Sequence, residues 1–142
     1  AYIKRRSNLI LLAENTPLVP AEELANCLRE SLLCLKTAGV AGALETAPSL
    51  QGLLLPAPLA ALAYDFFEAE TEQLYPSLRK LQVMLTGDAA LCLQVRAMAP
   101  GAALPPPWQA ERLENAGASL RQSRENDAIL LCLTLPEGRL RP

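Results

Sequence analysis

At 142 residues the chain has the length of one domain able to bury a sizeable core, and with apolar residues at 51% but aromatics at 4% that core is mainly aliphatic. Thirteen basic against fifteen acidic side chains leave a net charge of −2, so no global field draws nucleic acid or an acidic membrane surface. The absence of histidine excludes histidine-based acid–base chemistry and Cys/His zinc sites.

Residues 1–14, AYIKRRSNLILLAE, read as a helix with a seam of Tyr2, Leu9 and Leu12 or of Ile3 and Ile10. Alone it is short and marginal, so it needs a partner. Lys4-Arg5-Arg6 is read as its solvated face. Thr16-Pro17-Leu18-Val19-Pro20 is a stiff connector. An amphipathic helix follows from about Ala21 to Ala38, with Leu24, Leu28, Leu32 and Leu35 on one side and Glu22, Glu23, Asn26, Arg29 and Glu30 on the other. Glu22 and Glu23 in its first turn and Lys36 in its last match the helix dipole, and Gly39 ends it.

Val40 to Thr46 is a short strand weakened by Gly42, and Pro48 to Pro58 a loop. The longest helical segment runs from Pro58 to Tyr75, with Leu59, Leu62, Phe66 and Ala69 as its apolar stripe. Asp65, Glu68 and Glu72 follow the same spacing on another face. They are the sharpest site residues in the chain; a solvated acidic face accounts for the same spacing.

Leu81, Val83 and Leu85, then Leu91, Leu93 and Val95, alternate with polar or smaller residues around a Gly87-Asp88 turn and predict a hairpin with one buried face. A proline-rich break from Pro100 to Pro107 precedes a short helix over Trp108 to Ala116. Ala118 to Arg124 and Ala128 to Leu135 form a second hairpin, whose Ile129–Leu133 run is apolar on both faces, as an inner strand requires. The expected fold is a two-layer α/β sandwich: a mixed, mostly antiparallel sheet of about five strands, three helices on one face, and the N-terminal helix. Cys27, Cys34, Cys92 and Cys132 show no CxxC spacing and are read as buried thiols in a reducing compartment. No apolar run reaches the roughly 18 residues that span a bilayer, no signal peptide is visible, and a start at Ala predicts a piece of something longer.

The run WQAERLENAGASLRQSRENDAILLCLTLP resembles the end of the ATP-binding domains of bacterial sensor histidine kinases. KRRSNLILLAE followed by PAEELANCLRESLLCLKTAGV is similar to the junction between their dimerisation hairpin and that domain. The resemblance divides the chain into residues 1–16, the end of a dimerisation-type helix, and 17–142, a histidine-kinase-like ATPase domain.

It also implies where a nucleotide site belongs. In the family the matching helix carries Asn-Leu-x-x-Asn, whose second Asn holds Mg²⁺; here the residues are Asp65-Phe66-Phe67-Glu68-Ala69, and Ala69 offers no oxygen. Where the family has Asp-x-Gly-x-Gly, this chain has Met98-Ala99-Pro100-Gly101. The glycine-rich lid is replaced by a segment whose Pro105, Pro106 and Pro107 lack N–H donors. Asp65, Glu68 and Glu72 are then the remnant of a cofactor-binding helix, with no catalytic or metal residue expected.

Two expectations follow from this pattern. The first is a degenerate domain impaired in ATP binding, with no cofactor, acting as a signalling and interaction module. Its partner would be a protein, either a response regulator or the rest of its own kinase, with a homodimer formed through the N-terminal helix. The alternative is an active kinase domain that binds ATP and Mg²⁺ through non-standard residues. Both imply a two-component system, a cytoplasmic location, and no nucleic-acid or membrane contact. The phosphoacceptor histidine is absent from the fragment, so whether the parent is an enzyme stays open.

Overall fold

The structure is a computed structural model that describes residues 18–87 and 90–136. The helix expected over residues 1–14 and the boundary at residues 16 and 17 lie outside the described residues.

Two short strands open the described chain. β1 (Leu18–Pro20) pairs antiparallel with β3 (Leu54–Pro56), Val19 opposite Leu55. This small sheet was not anticipated, because a proline-flanked triplet reads locally as a connector and its partner lies in what reads as a loop. Helix α1 (Ala21–Thr37) follows directly, and the Ala21 N–H donates to the Leu53 carbonyl at 2.9 Å. Its apolar seam of Leu24, Leu28, Leu32 and Leu35 is buried as the spacing requires. Gly39, at φ 93°, turns the chain out of the helix while the Val40 N–H bonds back to the Leu35 carbonyl.

The main sheet has the order β2-β4-β5-β7-β6. β2 (Ala41–Thr46) runs parallel to β4 (Lys80–Gly87), reached by the crossover through helix α2 (Ala57–Leu74). β5 (Leu91–Met98), β7 (Ala128–Thr134) and β6 (Ser119–Glu125) complete it with antiparallel ladders. Helix α3 (Ala110–Ala116) precedes β6 and ends at Gly117, whose φ of 73° supplies the left-handed cap. The chain is thus a two-layer α/β sandwich with a mixed five-stranded sheet.

Alternation in β4 and β5 decides which face is covered. Leu81, Val83, Leu85, Leu91, Leu93 and Val95 are buried, whereas Lys80, Gln82, Met84, Gln94 and Arg96 are exposed. The covered face packs against α1 and α2, and each fully buried Leu contributes about 1.5–3 kcal/mol. β7 is interior, flanked by β5 and β6, which matches its apolar run. Helix α2 supplies the largest side chains of the core, with Tyr64, Phe66 and Phe67 each at 1% exposure or less.

Candidate functional site

Helix α2 carries the three carboxylates singled out by spacing, and the fold sends them to different neighbours. Asp65 points to α3, where its Oδ2 accepts a hydrogen bond from Arg112 Nη2 at 3.1 Å. The Arg112 guanidinium also lies over the Trp108 ring, 5.4 Å from its centroid. Trp108 in turn meets Phe66 edge-on, with centroids 5.6 Å apart and the rings at 70°. Residues 65 and 66 of α2 are therefore capped by a latch built from residues 108 and 112.

The proline-rich segment delivers that latch. Ala99 N–H donates to the Asp127 carbonyl, and the Pro105 carbonyl, on a buried proline, accepts from Gln122 Nε2 at 3.0 Å. The chain then enters α3 through Gln109, which holds a left-handed φ of 37°. A glutamine there is uncommon. Its own carbonyl accepts the Leu113 N–H and so starts the helix that carries Arg112.

Glu68 turns the other way, into the α1–α2 interface. Ser31, fully buried on α1, donates from Oγ to Glu68 Oε1 at 2.7 Å and lies 2.9 Å from the Tyr64 hydroxyl. Burial, then the bond to Glu68, raises the Tyr64 phenol well above its ordinary range. Glu72 is exposed. It lines, with Glu68, Thr71, Tyr75, Cys34 and Leu35, a groove of about 470 Å³ between the ends of α1 and α2. Among the described residues no group of three or more His, Cys, Asp or Glu side chains is placed to hold a metal ion. Ala69, at the position where the resembled family has its metal-holding Asn, is half-buried.

Two features escaped the sequence reading. Glu70 lies on the buried side of α2 at 3% exposure, and burial pushes its carboxyl up to about 7. In sequence it is one more acid in a run of three glutamates and an aspartate. The cysteines are the other correction. Only Cys27 is buried, while Cys34, Cys92 and Cys132 are half-buried. Alternation places Cys92 and Cys132 on the sheet face that the helices do not cover.

No protein-family profile matches the chain, and no curated protein matches it. Solved structures do. The histidine kinase AdeS of Acinetobacter baumannii aligns with a TM-score of 0.64 at 10% identity, over 94% of this chain and 76% of that one. The histidine kinase domain of the Erythrobacter litoralis EL346 blue-light activated histidine kinase gives 0.65 at 11% identity, over 96% and 75%. The histidine kinase ThkA, in complex with the response regulator protein TrrA, gives 0.60 at 9% identity, over 95% and 48%. The chain has the fold of histidine-kinase catalytic (ATPase) domains.

Proposed function

We propose that this chain is a signalling and interaction module of a two-component system, built on a histidine-kinase-type ATPase fold whose nucleotide site no longer takes ATP. The latch carries the reading. In the resembled family the two asparagines of the motif stand at the positions of Asp65 and Ala69; here Asp65 is paired to Arg112, and its neighbour Phe66 is covered by Trp108. Ala69 offers no oxygen to Mg²⁺, and the three consecutive prolines before Trp108 offer no N–H to phosphate. These residues do not fit a Mg-nucleotide. Phosphoryl transfer depends on positioning and charge neutralisation, so losing both leaves little for the fold to do as a phosphate donor.

A protein partner is part of the same proposal, since ThkA, similar in fold, is seen with a response regulator. So are self-association through the helix expected over residues 1–14 and a cytoplasmic location. Among the described residues no helix is long and apolar enough to cross a membrane.

Titration with Mg-ATP and Mg-ADP, followed by calorimetry and thermal melting, tests the central point. We expect no heat of binding and no change in melting temperature at millimolar nucleotide. A ligand at a hundred times its Kd stabilises a fold by about 2.7 kcal/mol. A shift of several degrees would therefore overturn the proposal in favour of a working kinase domain.

A further inference from the structure

On the open face of the sheet, Cys92 Sγ and Cys132 Sγ lie 3.0 Å apart. The ladder explains the meeting. Cys92 stands opposite Thr134 and Gln94 opposite Cys132, so the two cysteines are diagonal neighbours across β5 and β7. Side chains alternate with a period of two, which puts both sulfurs on the same face. Both are free thiols and half-buried. Cys132 lines an open groove of about 750 Å³ together with Met84, Gln94, Arg96 and Arg121, so a small reagent can reach the pair. Cys27 and Cys34 have no such arrangement with each other: two turns apart on α1, they are separated by about 10 Å along the axis. That exceeds the span of a disulfide.

We propose that Cys92 and Cys132 are a dithiol modification site, closed to an intramolecular disulfide by exchange with a low-molecular-weight disulfide such as oxidised glutathione. The Cys92 thiolate attacks one sulfur of the incoming disulfide, forming a mixed disulfide and releasing one thiolate. Cys132 then attacks Cys92 Sγ and releases the second. The two cysteines give up two electrons and two protons; the reagent leaves as two thiols. Burial, then hydrogen bonding to Cys92, pushes the Cys132 thiol up to about 11, which leaves the first attack to Cys92; once Cys92 is in the mixed disulfide, its hydrogen bond no longer holds the Cys132 proton.

Diagonal positions across an antiparallel pair lie about 7–8 Å apart at Cα, at or just beyond the upper end of what a disulfide spans. Closure therefore draws the strands together by about 1 Å, and the bond opens again readily under reductant. The proposal does not depend on the signalling reading, since it needs only the sheet.

The test uses the folded chain, with its melt recorded before and after treatment. It is incubated in glutathione buffers of rising oxidised fraction, quenched by alkylation, and mapped by mass spectrometry without reduction. We expect a Cys92–Cys132 linked peptide, lighter by two hydrogens and abolished by dithiothreitol. It should exceed singly modified forms about tenfold or more, because a neighbouring thiol presents a high effective concentration. In Cys132→Ser, whose near-isosteric change leaves the fold intact, one glutathione should accumulate on Cys92. Mixed disulfides on both cysteines without a linked peptide would overturn the proposal. So would a link that forms only in denaturant, or no modification of either sulfur.

Discussion

Glu70 shows what one side chain can do to this fold. Its Oε2 has no hydrogen-bond partner among the described residues, and burial alone raises its carboxyl from 4.5 to about 7. Below pH 4.5 the group is protonated in both the folded and unfolded chain, and its favourable contribution is fully present. Between pH 4.5 and 7 the unfolded chain ionises freely while the folded one keeps the proton, so stability falls as pH rises. Above 7 the loss is complete and the curve flattens. A shift of this size corresponds to about 3–4 kcal/mol across that window. Glu70→Gln cannot titrate, so its urea-unfolding stability should fall by that much less than wild type between pH 4.5 and 7. Parallel curves would mean that the carboxyl is already solvated in the native state.

At the scale of elements, the same distinction between pattern and neighbour decides what was legible. The seam of α1, the alternation of β4 and β5, and the buried run of β7 depend on periodicity, and the structure places them as read. The β1–β3 pair depends on two triplets 36 residues apart, each stiffened by proline, which no local pattern announces. Of the site, the sequence showed the three carboxylates and the missing oxygen at Ala69. It could not show that Asp65 faces α3 while Glu68 faces α1, because that depends on which helices flank α2. Gly42 is the clearest case. By propensity it weakens β2, yet a Cβ built there falls 2.8 Å from Leu32 Cδ2 on α1. The glycine lets the helix sit down on the edge strand. Gly42→Val should therefore destabilise the domain by about 1–3 kcal/mol, as overpacked positions do, despite valine's better strand propensity. Chemical denaturation that finds the valine variant equal to or more stable than wild type would show that Leu32 swings aside freely.

For the whole molecule, the question is whether architecture and nucleotide chemistry can be separated. The core runs through α1, α2 and the covered face of the sheet, and neither Asp65 nor Ala69 belongs to its fully buried set. The altered positions of the resembled nucleotide site are spread over three elements instead: α2, the turn after β5, and the segment leading to α3. The sandwich can keep its stability while each of these changes, and restoring one of them should not restore the site. Asp65→Asn with Ala69→Asn puts both asparagines of the family pattern back on α2. The exchange breaks one partly exposed ion pair, a loss of about 0–1 kcal/mol, so the variant should melt close to wild type. It should still give no thermal shift with Mg-ATP. Trp108 would remain against Phe66, and the prolines before it would still lack donors. If the double variant instead gains several degrees with millimolar nucleotide, the latch is no barrier, and the proposed loss of nucleotide binding rests on the two helix residues alone.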